Sequence, residues 1–534
     1  MSVRDVLRKG RVLVGAVRQS GLLGTLRPTK LAAFAWQSLG RPRNPTSILR
    51  LHALNTPDAE ALVDGAVRLT YARLDERVNR LATALAGMGV RPGDRVAIML
   101  RNCHEYIEAQ WAIMRLGAVA VQIGYRLKAP EIAYILTNSE PRVLFHQRAD
   151  ADTVRAAVAE AAPERLEMCM VGEPYEELLA RGDPVAAPAP PRDSAGVMIY
   201  TSGTTGQPKG AARGFKESLH ESVADFIAKV GIHHDERHLC VCPLYHSAAP
   251  AFCAFIFGLG GTVVLQSHFD PEAALAAITG ERITSSFMVP TMLARLADAE
   301  RRSDTRSLRW LVSTAAPLAT DTARRVEARF GPVLYNFYGA TETGLVTLAC
   351  PGEHTARPGT IGRVLSGNEI RLLDGAGRVV PPGAVGELYV RNSMLVAGYH
   401  KNPEATRSAM KDGFFSVGDM ARVDADGYYY LADRKIDMVI SGGVNIYPLE
   451  VEQRIHSHPA VLECAVIGIP DAEWGEALKA FVVARPGATI SADEVRAFCK
   501  EALANFKCPK EVVFLDALPR NPTGKVLKRE LRGP

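Results

Sequence analysis

Val197-Met198-Ile199-Tyr200, running straight into Thr201-Ser202-Gly203-Thr204-Thr205-Gly206-Gln207-Pro208-Lys209-Gly210, is the stretch on which the fold turns. Four apolar residues in a row read as a buried strand. The next ten bring three glycines, three threonines, a serine and a lysine. Glycines let the backbone approach a ligand closely and adopt positive φ. Their N–H groups, with the hydroxyls and the lysine ammonium, form a cradle for phosphate oxygens. The spacing is not that of the Gly-x-x-x-x-Gly-Lys-[Ser/Thr] loop. A mobile Gly/Ser linker would not follow a buried strand directly or close on Pro-Lys.

Working outward, the same alternation of strand and helix recurs. Leu74, Val78, Leu81, Leu85 and Met88 step by four and three along one helix face. Gly89 stands where a left-handed C-terminal cap belongs, and Arg91-Pro-Gly-Asp94 turns the chain. Strands at Val96–Leu100, Ala118–Ile123, Thr262–Leu265, Leu311–Ser313 and Val333–Phe337, with a helix at Glu105–Leu116, argue an α/β fold with mainly parallel sheets. Pro184–Pro191 reads as an exposed connector. After about residue 365, short strands and Gly/Pro turns predict a small β-rich subdomain. From Asp433 the pattern is that of a separate unit, with helices at Pro448–His456 and Asp493–Ala504 and strands at Glu463–Gly468, Ala480–Ala484 and Glu511–Leu515. The expected division is an N-terminal extension (1–45), a large domain (46–432) and a small C-terminal α/β domain (433–534).

The 534 residues are 47% hydrophobic and 23% charged, an ordinary globular balance. Nine cysteines without a C-x-x-C pair read as reduced thiols of a cytoplasmic protein, not as a disulfide frame or zinc site. No apolar run is long enough to span a bilayer. The net charge of +5 is unevenly spread. Residues 1–45 hold nine arginines and lysines against the single Asp5, an excess that leaves the remaining chain net acidic. A nucleic-acid binder spreads basic charge over its folded surface, and this chain does not. Val6, Leu7, Leu13, Val14 and Val17 recur at helical spacing opposite Arg4, Arg8, Arg11 and Arg18. Such a basic amphipathic helix lies peripherally on an anionic membrane, or docks on its own domain with a solvated basic face; a cleaved targeting peptide is a third reading. The oligomeric state is not legible.

The phosphate loop is followed by Tyr338-Gly339-Ala340-Thr341-Glu342-Thr343, Ser416-Val-Gly-Asp419, Asp433-Arg434-Lys435-Ile436-Asp437 with Ser441-Gly442-Gly443, and Pro519-Arg-Asn-Pro-Thr-Gly-Lys525. Taken in this order, the chain from about residue 50 to 532 resembles the acyl-adenylate-forming superfamily: acyl-CoA synthetases, firefly-type luciferases and peptide-synthetase adenylation domains. The resemblance implies a large domain and a small mobile one. It also implies a reaction in which a carboxylate attacks the α-phosphate of ATP and a thiol then displaces AMP. By the same resemblance, Thr201–Thr205 and Lys209 hold the β- and γ-phosphates, Tyr338 stacks on adenine, and Ala316 and Thr341 line the nucleotide and acyl pocket. Arg434 lies near the ribose, and Lys525 bridges carboxylate and α-phosphate. Gly443, in the Ser441–Gly443 loop, meets the thiol after the small domain rotates. Asp419 suits a vicinal diol. Glu342 is a hard oxygen ligand suited, with Thr201, to Mg²⁺; its other reading is an acid favoured at a helix N-terminus. One departure stands out: the family's pivot position, commonly Lys or Asp, is Ile436, with Lys435 and Asp437 beside it.

The acid itself is read from Pro243–Pro250, where His246 occupies the pocket mouth. Amino-acid-selecting relatives carry an Asp near this point to pair with the ammonium. From Ser247 to Ser267 no residue is charged, and Phe252, Phe255, Ile256, Phe257 and Leu259 crowd the stretch. A helix and strand there wall an apolar acyl pocket or pack as ordinary core. His233, His234 and His238 read as surface residues. The resemblance implies an ATP- and Mg²⁺-dependent ligase of the fatty-acyl-CoA synthetase type, with CoA or a carrier-protein phosphopantetheine as acceptor. A nucleotide-binding pseudoenzyme is the reading from another class.

Overall fold

The computed structural model describes residues 3–37, 45–185, 196–201, 208–214, 220–301, 303–441, 444–471, 473–520 and 526–532, with side chains from Gly10 onward. Among them, three sheets form. In the first, Glu60–Asp64, Thr262–Leu265, Arg237–Cys240, Ser285–Phe287, Trp310–Ser313 and Leu334–Ala340 lie parallel in that spatial order. The sheet then turns antiparallel through Gly344–Ala349, Thr360–Val364, Tyr429–Arg434, Asp419–Val423 and Gly386–Arg391, the expected β-rich part. In the second sheet Glu167–Met170, Val143–His146, Arg95–Met99, Val119–Gln122 and Gly196–Thr201 are parallel, and Lys209–Gly214 returns antiparallel. The α/β class read from the sequence is the class observed.

The local signals hold where the pattern was strong. Helix Tyr71–Gly87 buries Leu74, Val78, Leu81 and Leu85, each worth about 1.5–3 kcal/mol when fully covered. The Thr70 hydroxyl accepts the Arg73 N–H at its start, and Gly89 adopts φ 88° after its end.

The C-terminal unit is less regular than expected. Its core sheet is a long antiparallel hairpin, Val461–Asp471 with Gly475–Ala484, and only Glu511–Phe514 runs parallel to it. The Asp471 carboxylate accepts the Glu473 and Trp474 N–H groups and shapes the turn. Helix Ala492–Lys500 ends earlier than its run of helix formers predicts, because Leu503 and Cys508 fold back on the small core. Most of the Pro184–Pro191 connector lies outside the described residues.

Two readings are corrected. His238 is not a surface residue: it lies in the strand Arg237–Cys240, fully buried, its ring stacked on Phe252 at 5.9 Å and its Nδ1 3.2 Å from the Ser285 hydroxyl. In helix Val3–Gln19, Leu13 and Val17 turn inward as the apolar spacing predicts, but Val14 does not. Ala16 and Ser20 are buried and Val12 and Leu13 pack on the core, whereas Val14 is 67% exposed. The segment docks on its own domain, with the Ser20 carbonyl accepting the His234 N–H at 2.9 Å and the Asn55 side chain bonding Arg27 N and Thr25 O. Val6 and Leu7 have side chains outside the described set.

Burial pulls the pKa of His238 down to about 3 from 6.5, so the folded protein refuses a proton that the unfolded chain accepts. Stability from this group is full above pH 6.5 and is lost as the pH falls towards 3, by about 1.4 kcal/mol per pH unit. The denaturation midpoint is therefore expected to drop between pH 6.5 and 5.5, and His238→Gln to flatten that slope relative to wild type. Identical slopes would refute the assignment.

Candidate active site

The phosphate-cradle motif sits where the second sheet reverses. Thr201 ends the strand Gly196–Thr201, Lys209 opens its antiparallel partner, and the two residues are paired in register. Between them, Ser202, Gly203, Thr204 and Thr205 lie outside the described residues. The first sheet contributes from the C-terminal ends of its parallel strands, the usual place for ligands in such folds. Ala316 follows Trp310–Ser313, and Thr341 and Glu342 follow Leu334–Ala340. Ala315 holds φ 74°, a left-handed conformation unusual for alanine that marks a constrained bend in the site wall.

These residues share one cavity of about 1780 Å³, lined by Thr201, Lys209, Ala316, Tyr338, Thr341, Glu342, Asp419 and Arg434 among others. Glu342 is buried, and its Oε1 accepts the Thr201 hydroxyl at 3.2 Å and the Tyr399 hydroxyl at 3.1 Å. The Lys209 ammonium lies over the Tyr399 ring, 5.3 Å from its centroid. Arg213 donates to the Thr341 carbonyl at 2.7 Å; burial lowers its pKa to about 10 against the opposing pull of Glu342. A carboxylate and a hydroxyl side by side form an all-oxygen donor set that fits Mg²⁺.

Strand register fixes the Asp419–Arg434 pair. Asp419 and Arg434 face each other across an antiparallel pair, with Arg434 Nε 3.5 Å from Asp419 Oδ1. Tyr338 donates its hydroxyl to Asp419 Oδ2 at 2.7 Å, and burial with that carboxylate pushes the phenol pKa upward.

His246 does not line the cavity; the neighbouring Ser247 does, its Oγ 3.2 Å from Thr341 Oγ1. The His246 ring packs on Tyr245 with centroids 4.1 Å apart, and its Nε2 has no partner among the described residues. Burial, helped by the Arg126 charge, lowers its pKa to about 3 and keeps the ring neutral. Beyond Ser247, helix Ala248–Leu259 turns Ala251, Phe252, Phe255 and Gly258 to the cavity. For the strand Thr262–Leu265 the ordinary-core alternative holds: it is buried sheet core and does not line the cavity.

The C-terminal unit meets the same cavity. Arg520 and Val526 pair across a short bridge and both line it. Lys525 and Gly443 themselves lie outside the described residues. At the pivot, Lys435 is tied to Glu387 of the large sheet at 2.9 Å and Asp437 to Arg532 near the C-terminus at 2.7 Å, with Ile436 exposed between them.

The family model for the AMP-binding enzyme matches residues 49–400, and that for the AMP-binding enzyme C-terminal domain matches 450–525. The chain belongs to the AMP-binding enzyme family. A feruloyl-CoA synthase of Amycolatopsis sp is 40% identical over 481 residues, 89% of this chain and 96% of that protein. The long-chain-fatty-acid–CoA ligase FadD13 of Mycobacterium tuberculosis is 34% identical over 493 residues, 91% and 97% of the two chains. Among solved structures, ATP-bound MatB from Rhodopseudomonas palustris superposes with a TM-score of 0.83 at 31% identity, covering 92% of this chain and 98% of its own. This AMP-binding enzyme is an acid–thiol ligase that activates its acid with ATP.

Sequence reasoning missed Tyr399, Arg213 and Ser247. Arg213 carried a signal, a second charge beyond Lys209 in a strand of otherwise small residues. Tyr399 carried none, because its role depends on the pairing of Gly398–Tyr399 with Ala211–Ala212, nearly two hundred residues away.

Proposed function

We propose that the enzyme activates an apolar carboxylic acid of the fatty type and transfers it to CoA. A carboxylate oxygen attacks the α-phosphorus of ATP, the bond to the bridging oxygen breaks, and pyrophosphate departs. The CoA sulfur then attacks the acyl carbon and AMP leaves. In this reading Lys209 and the Thr201–Thr205 loop neutralise the β- and γ-phosphates, Asp419 accepts the ribose hydroxyls beside Arg434, and the Tyr338 ring meets the adenine. Lys525 reaches the carboxylate and α-phosphate, and the Ser441–Gly443 loop serves the thiol step. Mg²⁺ held by Glu342 and Thr201 would supply charge neutralisation to the leaving phosphates.

One observation carries the choice of acid. Ser247 is hydrogen-bonded to Thr341 inside the nucleotide motif and begins the helix whose apolar face lines the same cavity. An acid with its carboxylate near Thr341 therefore lays its tail along uncharged side chains.

A homologous series of acids, assayed with ATP and CoA for AMP release, tests this. Each methylene buried contributes about 0.8 kcal/mol, so kcat/KM is expected to rise roughly fourfold per carbon until the pocket fills. A flat series, or turnover of a free α-amino acid ahead of the matching fatty acid, would reject the reading. Replacing CoA by a phosphopantetheinylated carrier protein distinguishes the two acceptors.

A further inference from the structure

We propose that the N-terminal helices form the far wall of the acyl pocket, so that residues before 45 set the size of the acid accepted. The proposal rests on the acid-activating reading above. The cavity that begins at Glu342 and Thr341 does not end within the family core. It is also lined by Ala16 and Val17 of helix Val3–Gln19, Leu22 of the next turn, and Phe34 of helix Pro28–Gln37.

Helix Ala248–Leu259 connects the two ends. Ser247, at its start, bonds Thr341; Gly258, near its end, offers its carbonyl to His52 Nε2 at 3.2 Å, beside the N-terminal segment. Twelve helical residues span about 18 Å, which separates the reacting carboxylate from the wall by the length of an extended acyl chain. Trp111 and Met114 of helix His104–Leu116, Ile227 of helix Glu221–Val230 and Phe255 line the same cavity, which also carries the uncharged Gln110 and Gln122. Among the described side chains of the N-terminal helices no charged one lines it; Arg11, Arg18, Arg27 and Lys30 are exposed.

The wall is held in place by specific bonds and is not a loose tail. The Ser20 carbonyl accepts from His234 N, and Asn55 clamps Arg27 N and Thr25 O at 2.9 and 3.0 Å. Gly21 turns the chain at φ 70°, against His233, where a Cβ would stand 2.5 Å from the ring Nε2. The match to the family model begins only at residue 49, so this boundary of the pocket is built by sequence outside the family match.

Two opposed variants test it in the full-length protein. Val17→Trp fills the far end, and Phe34→Ala enlarges it. The readout is the ratio of kcat/KM for the longest to the shortest acid turned over by wild type. Val17→Trp is expected to lower this ratio at least about tenfold, the effect of displacing two methylenes, and Phe34→Ala to move the optimum to a longer acid. An unchanged ratio in both variants, or a uniform loss across the series, overturns the wall. If wild type turns over apolar acids with a clear optimum and the variants do not move it, only the wall fails. If wild type turns over none, the functional reading beneath it fails as well.

Discussion

Lys525→Ala is expected to slow acyl-AMP formation from acid and ATP about 10²–10³-fold, the usual cost of losing a cation aimed at charge that develops in the transition state. Binding of ATP should change little, because the phosphate loop, Asp419 and Tyr338 belong to the large domain. Thioester formation from presynthesised acyl-AMP should survive, since the family withdraws this lysine before the thiol step. The described residues flanking it support the assignment: Arg520 and Val526 pair and line the cavity that also holds Glu342 and Arg434. Pyrophosphate exchange and single-turnover thiolysis measure the half-reactions separately. Equal loss of both would remove Lys525 from the first step.

What the sequence reveals here is set by how local the cause is. The strand before Thr201, the helix through Leu74–Leu85 and the Asp419 and Arg434 motifs are legible because apolar runs and turn residues act within a few positions. The pairing of Asp419 with Arg434 is nearly local too, since the two strands form consecutive partners in one antiparallel meander. His238 was misread because a histidine beside Arg237 looks solvent-facing, whereas strand alternation sends the two side chains to opposite faces. The Glu342–Tyr399 bond and the N-terminal wall are non-local, joining residues that no spacing rule relates. The place of Val14 on the first helix escapes the spacing for a similar reason. Val14 is as apolar as Val17, but only the partner helix Glu221–Val230 and the cavity decide which of them turns inward.

Glu342 offers the second large effect, and Glu342→Gln is the informative change. The amide keeps the side chain's shape and can still accept from the Thr201 and Tyr399 hydroxyls, so the bend after Ala340 should be preserved. What disappears is the negative charge available to a cation. The proposed Mg²⁺ site would then retain only neutral oxygens at this point, and its half-saturation should move to higher Mg²⁺ by about 10–100-fold, with a fall in adenylation rate at fixed Mg²⁺. Glu342→Ala should add a loss of stability of about 1–3 kcal/mol, because the half-buried Thr201 and Tyr399 hydroxyls lose this acceptor. Comparing the two variants separates charge from packing. A Mg²⁺ titration of the initial rate that superposes on wild type for Glu342→Gln would show that the carboxylate serves only to hold Thr201 and Tyr399 in place. A shifted titration at an unchanged melting temperature would assign it to the metal.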